Sequence, residues 1–353
     1  MVDITELFRL TAKDKASDLH LIVGSSPVLR VDGELRKLSK FPSLAEEEAE
    51  KMIFSLLTAE QKEVFLANKE LDFSYAWQGL RFRVNIYHQK GTIAGSFRLI
   101  PEKIVSIDEL NLPSICHQFT SLRQGLVLIT GPSGMGKSTT LASIINEINQ
   151  ERSVHIVTIE DPIEYVYPQG KSIISQREIH FDTYSWEVAL RSTLREDPDV
   201  VLLGEMRDYE TIASALTIAE TGHLVFATLH TNSAAQAVDR IVDVFPGHQQ
   251  PQVRLQLSFT IEAILSERLV PQIGGGRIPA FEILVGTSAV KNTIREGKTY
   301  LIDNIIQTSQ EKGMMNLETY LADLIKKGKV SYETAQSFCL RPQELARLVK
   351  DKI

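Results

Sequence analysis

Gly131-Pro132-Ser133-Gly134-Met135-Gly136-Lys137-Ser138 fits the pattern G-x-x-x-x-G-K-[ST] at every defined position, and its flanks give it the setting that pattern requires. Ahead of it, Gly125-Leu126-Val127-Leu128-Ile129-Thr130 reads as a short apolar strand; behind it, Lys137 to Asn149 reads as a helix with Leu141, Ile144, Ile145 and Ile148 on one side. The glycines let the backbone curl until successive N–H groups face one point, and the positive end of the helix dipole faces it too. Such a concavity suits a phosphate. Lys137 is placed to reach the β- and γ-phosphates of a nucleotide, and the Ser138 hydroxyl to ligate Mg²⁺. The stretch therefore predicts a nucleotide-binding α/β domain. Its contact set is Gly131, Pro132, Ser133, Gly134, Met135, Gly136, Lys137, Ser138 and Thr139.

Beyond this loop the chain alternates apolar strands with helices, the mark of a mostly parallel sheet. Strands are expected at 125–130, 154–160, 199–204, 223–230 and 278–285, with helices from about 288 to the end. The first hundred residues differ. Leu19, Leu21 and Val23 alternate with polar residues; Val28–Val31, Asp32-Gly33 and Glu34–Leu38 read as a hairpin; Leu44–Leu57, opened by Ser43, and Ala59–Ala67 read as helices. Two further strands carry Leu80, Phe82, Val84 and Ile86, then Ile93, Gly95, Phe97 and Leu99. If they pair, Arg81, Arg83 and Arg98 share one face, which spacing alone reads as a solvated surface. The expected division is 1–100 for a small α+β domain, 101–113 for a linker bounded by Pro101 and Pro113, and 114–353 for the larger domain.

Composition narrows the function classes. The 353 residues are 43% hydrophobic and 24% charged, ordinary globular material, and the formal net charge of −7 argues against general adhesion to nucleic acid or anionic membrane. No apolar run approaches the roughly 18 residues of a membrane span, and the first residues do not read as a signal peptide. Cys116 and Cys339 lie far apart and read as reduced thiols in a cytosolic protein.

Hydrolysis needs one group to hold the metal and another to orient water, and two acidic stretches offer them. Asp199-Val200-Val201-Leu202-Leu203-Gly204-Glu205 is an apolar strand ending in a carboxylate, with Glu205 at the expected metal side. Glu160-Asp161-Pro162-Ile163-Glu164 follows another strand, and Glu164 is the candidate for the water. Glu160 and Asp161 as mere caps remain an equal reading. His223 and His230 bracket Leu224–Leu229 too far apart to share a metal; His223 reads as satisfying local backbone, while His230 is open between that and a γ-phosphate contact.

In order as well as spelling, these words resemble the secretion and pilus motor ATPases. They are Ala16-Ser17-Asp18-Leu19-His20-Leu21, the glycine loop, Thr158 to Glu164, Gly204-Glu205-Met206-Arg207-Asp208, and Thr221-Gly222-His223 through Leu229-His230-Thr231. Ile294-Arg295-Glu296-Gly297-Lys298, together with the lack of a tetracysteine insert and of a long N-terminal region, is similar to the type IV pilus retraction subfamily. The resemblance implies a PAS-like N-terminal domain, a RecA-like P-loop NTPase core and a homohexamer. It implies ATP and Mg²⁺ as cofactors, with Ser138 and Glu205 at the metal, Glu164 at the water and His230 sensing phosphate. It also implies that Arg83 and Arg98 approach phosphates, which reverses the solvated-face reading. The implied partners are the inner-membrane pilus platform protein and a paralogous retraction ATPase, with no nucleic acid, at the inner face of the cytoplasmic membrane. The alternatives are an accessory retraction motor and, from another class, a RecA-like nucleic-acid motor. Where the family has threonine and serine in the loop, this chain has Ser133 and Met135.

Overall fold

Period-two alternation in the first hundred residues and continuously apolar strands beyond them give two sheets in the computed structural model, which describes residues 3–31, 33–100 and 103–350. One compact unit comprises the residues up to 103 together with 162–166; the other comprises 104–161 and 167 onward.

The first unit runs α1 (Ile4–Lys13), β1 (Asp18–Ile22), β2 (Val28–Val31), β3 (Glu34–Lys37), α2 (Glu46–Phe54), α3 (Ala59–Asn68), β4 (Glu70–Trp77), β5 (Leu80–Gln89) and β6 (Thr92–Ile100). Its six strands pair antiparallel in the order β3-β2-β1-β6-β5-β4. Alternation in β5 buries Phe82, Val84 and Ile86, and Phe8 of α1 stacks on Phe82 with ring centroids 4.3 Å apart. The capping box expected of a well-formed helix start is present at Thr58 and Gln61. The helix expected from Leu44 begins at Glu46 instead, with Ala45 as an N-cap that makes no side-chain bond, so Ser43 is not its cap. The expected hairpin holds as β2 and β3, although Asp32 lies outside the described residues. Of the expected 101–113 segment, Pro101 and Glu102 lie outside them as well, and Ile107 is buried in the core of the second unit.

The second unit runs α4 (Ile115–Ser121), β7 (Gly125–Thr130), α5 (Lys137–Glu151), β8 (His155–Glu160), β9 (Ile173–Glu178), α6 (Trp186–Thr193), β10 (Val200–Leu203), α7 (Tyr209–Glu220) and β11 (Leu224–Leu229). It continues with α8 (Ala234–Asp243), α9 (Gln250–Thr260), β12 (Ile261–Pro271), β13 (Arg277–Val285), α10 (Ser288–Arg295), α11 (Ile302–Thr308), α12 (Leu317–Lys326), α13 (Tyr332–Phe338) and α14 (Pro342–Lys350). The seven-stranded sheet has the order β13-β12-β7-β11-β10-β8-β9, parallel except where β13 runs against β12. Every residue of β7 and of β11 is buried, as strands covered on both faces must be.

The two faces hold different helices. Val127 and Ile129 of β7 pack with Leu141, Ile144 and Ile145 of α5, whereas Leu126 and Leu128 pack with residues of α7, α8 and α9. The chain therefore leaves β7 toward one face and the adjacent β11 toward the other. Crevices at the carboxyl ends of such diverging strands are where open α/β sheets bind ligands.

The helical C-terminal part is tied together by charge. Glu318, fully buried on α12, accepts the backbone amides of Leu340 (2.9 Å) and Arg341 (2.8 Å) and an Arg341 Nη1–H at 3.1 Å, while Arg341 also pairs with Asp303 of α11.

Phe8→Ala should destabilise the first unit by about 3–5 kcal/mol, the cost of a cavity left by a buried aromatic ring. Chemical denaturation followed by circular dichroism would measure it, and a change below about 1 kcal/mol would contradict this account of the core.

Candidate nucleotide site

The glycine loop takes the backbone path its sequence demands. Gly131, Gly134 and Gly136 have φ of +145°, +76° and +101°, values a side chain resists. Space is a second constraint at two of them. A Cβ on Gly131 would lie 2.4 Å from the backbone oxygen of Glu267, and one on Gly136 would lie 2.4 Å from Glu267 Oε1. Both contacts come from β12, which continues beside β7 and runs on behind the loop.

Within the loop, Lys137 is nearly buried and its Nζ donates to the carbonyls of Gly131 (2.8 Å) and Pro132 (3.0 Å). That holds the ammonium across the loop's entrance residues. Met135, the departure from the usual spelling, has a structural use: its sulfur accepts the Leu269 amide at 3.4 Å. Arg277 Nη1 donates to the carbonyl of Gly134 at 3.4 Å. Ser138 and Thr139 occupy the first turn of α5.

The ends of β10 and β11 meet this loop through a short polar relay. Ser133 Oγ lies 3.4 Å from His230 Nδ1, and His230 Nε2 lies 3.2 Å from Glu205 Oε1. The other carboxylate oxygen of Glu205 accepts from Arg207 Nε at 2.8 Å. The Gly204 amide donates to the Ile159 carbonyl at 2.8 Å, which ties this strand exit to β8. Loop, histidine and strand-end carboxylate are thus brought together in one unit, with Glu205 presenting hard oxygen donors that fit a magnesium-like ion. His223 is not part of this group. It sits at the opposite end of β11, with Nδ1 3.1 Å from the Ile218 carbonyl, the local structural role expected for it.

The acidic stretch after β8 separates by residue. Glu160 is buried and accepts from Thr158 Oγ1 at 2.6 Å and Gln176 Nε2 at 3.3 Å, so its carboxylate serves the sheet. Glu164 falls in the short segment that belongs to the first unit, where Arg83 Nη1 approaches it to 3.9 Å. Arg83 and Arg98 are cross-strand partners on one face, and Arg98 Nε donates to Asp18 Oδ1 at 2.9 Å. Asp18 is the acid of the Ser17-Asp18-Leu19-His20 stretch. Burial pushes its pKa up, but hydrogen bonds from Ser17 and Arg98 outweigh burial and the net shift is downward.

Several residues at the site were not singled out from the sequence. Glu267 and Thr140 buttress the loop, joined by a 2.8 Å bond from Thr140 Oγ1 to Glu267 Oε2. Glu282, buried on β13, accepts the amide of Ala234 at 2.7 Å and so fixes the turn after His230; burial, opposed by that bond, lifts its pKa to about 7. Arg268 Nη2 holds Asn232 Oδ1 in the same turn at 3.1 Å. The available signal was Ser266-Glu267-Arg268, a polar triplet inside the apolar run 261–271.

Comparison with known proteins agrees with this geometry. Residues 98–338 match the family model described as type II/IV secretion system protein. The type IV pilus retractation ATPase PilT of Pseudomonas aeruginosa is 46% identical over 97% of this chain and 99% of its own length. A twitching motility protein of Neisseria gonorrhoeae is 45% identical over 94% of this chain and 89% of its own. Among solved structures, the pilus retraction motor PilT with bound ADP superposes with a TM-score of 0.92 at 44% identity, over 98% of this chain and 100% of that one. The chain belongs to the type II/IV secretion system ATPase family. Within it, the architecture is that of the retraction motors: an N-terminal domain and a RecA-like ATPase core.

Gly136→Ala should abolish ADP binding, because both its backbone angle and the 2.4 Å approach of Glu267 oppose a Cβ. Calorimetric titration of the folded variant checks this; an affinity within about threefold of the parent, less than 1 kcal/mol, would contradict the packing described.

Proposed function

We propose that this chain is an ATPase motor that powers type IV pilus retraction. The observation that carries the reading is likeness over essentially the whole length to a retraction ATPase, at 46% identity, with the nucleotide loop and its relay in place. The formal charge of −7 counts against a nucleic-acid motor. Among the described residues no helix is long and apolar enough to cross a membrane. We place the chain at the cytoplasmic face of the inner membrane, as a ring of six copies acting on the pilus platform protein.

The roles follow from charge and position. The loop amides and Lys137 bind the phosphates, and Lys137 exchanges its carbonyl partners Gly131 and Pro132 for phosphate oxygens as the group enters. Ser138 and Glu205 would hold Mg²⁺, which when bound neutralises phosphate charge. Glu205 is already oriented for this by Arg207 and His230. His230, spanning Ser133 and Glu205, responds when a terminal phosphate changes the loop, so it reports nucleotide state to the β11 exit. Glu164 orients the attacking water and accepts its proton. Arg83 and Arg98 supply cations to the phosphates, Arg98 being aimed by Asp18. Rotation of one domain against the other then couples hydrolysis to withdrawal of pilin subunits.

Lys137→Ala should reduce ATP turnover to background in a coupled phosphate-release assay, and substantial residual hydrolysis would refute the assignment. Glu164→Gln should keep ATP binding while lowering turnover by about a hundredfold or more; near-normal turnover would move the water-orienting role elsewhere. In cells, deletion should leave excess surface fibres and abolish twitching. Bald cells would point to extension, and largely intact twitching to an accessory motor.

A further inference from the structure

One buried acid at the site has no part in the roles above. Glu267 lies on β12 just past Ser266, whose hydroxyl accepts the Thr130 Oγ1–H at 2.8 Å and so pins β12 to the end of β7. Glu267 is only 2% exposed. Its backbone oxygen faces Gly131, one side-chain oxygen faces Gly136, and the other accepts from Thr140. A single residue thus touches the first glycine of the loop, the last glycine, and the first turns of the helix behind them.

We propose that Glu267 is a positioning residue for nucleotide: a carboxyl that braces the phosphate loop from behind and takes up a proton when phosphate fills that loop. This rests on the nucleotide reading of the loop. The charges that face Glu267 are few. Burial dominates and pushes the acid up to about 8, against the Thr140 hydrogen bond and Lys137 on α5, which both lower it. Cys116 on α4 and Tyr320 on α12 share its field, and burial raises each to about 12, so both stay neutral through the range that matters.

Phosphate alters this balance in one direction. Its negative charge arrives in front of Lys137, engages the cation that favours ionised Glu267, and repels that buried carboxylate. The proton affinity of Glu267 rises. By linkage, binding draws in a proton, and nucleotide binds less tightly as pH climbs through the range where free Glu267 ionises. Neutral Glu267 also removes a buried negative charge from behind a loop whose purpose is to attract anions.

The test is ADP titration of the full-length chain between pH 7 and 9 at constant magnesium, in parallel with Glu267→Gln, which keeps the shape and the Thr140 hydrogen bond. For a pKa rise of one unit on binding, the parent should lose about fivefold in affinity over this range beyond what the variant loses. At pH 8, titrations in two buffers of different ionisation enthalpy should show proton uptake by the parent and little by the variant. Thr140→Val removes a bond that favours the ionised acid, so it should move the pH dependence to higher pH. Equal pH dependence in parent and Glu267→Gln would overturn the proposal, even if the variant melts at lower temperature. An absence of ADP binding at every pH would instead sink the nucleotide reading itself, and this inference with it.

Discussion

A glycine loop of this spelling can cradle phosphate only if its backbone amides converge on one point, and that convergence depends on room behind the loop. Three glycines supply the angles, with φ between +76° and +145°, but angles alone would leave the loop free to relax. What fixes it is β12, which runs beside β7 and continues past it. The Glu267 carbonyl leaves no room for a Cβ at Gly131, its side chain leaves none at Gly136, and the Leu269 amide bonds Met135. Preorganised donors of this kind spare the ligand the cost of ordering them.

The same floor explains why the site is assembled from distant sequence. The carboxyl ends of β7, β10 and β11 lie side by side because the sheet order places β11 between the other two. Ser133, His230 and Glu205, each from a different strand exit, then fall into one relay. Arg268 and Glu282 support the turn after His230 from β12 and β13. The loop and the turn after His230 are therefore braced by one antiparallel pair, and a displacement of that pair reaches both.

Much of this was legible in the residues. The glycine loop, its helix and β7 follow directly from apolar spacing and the fixed spelling between Gly131 and Ser138, and Arg83 and Arg98 do share a face as period-two alternation requires. The strand endings at Gly204-Glu205 and Leu229-His230 were read correctly because buried parallel strands are continuous apolar runs. Three strands were not. β4 alternates weakly because only Phe73 along it is buried, and β9 is a sheet edge with mostly half-exposed residues. β12 was missed for the opposite reason: Ser266 and Glu267 break the apolar pattern, yet both are buried and bonded to Thr130 and Thr140. Pattern reading assigns such polar residues to a surface; only the fold reveals that their partners lie on β7 and α5. Glu164 was legible as an acid after β8, but its place with the first unit, beside Arg83, was not.

The arginine clamp in the C-terminal helices constrains how this molecule can be shortened. Glu318 is sealed inside the fold, and its satisfaction comes from the amides of Leu340 and Arg341 and from the Arg341 guanidinium. A stop codon placed ahead of residue 340 would leave the buried Glu318 carboxyl without these partners and release Asp303 from its counter-ion. Fusion partners or affinity handles are better carried after this clamp than in place of it, since Leu340 and Arg341, just ahead of α14, lock α11 and α12 together.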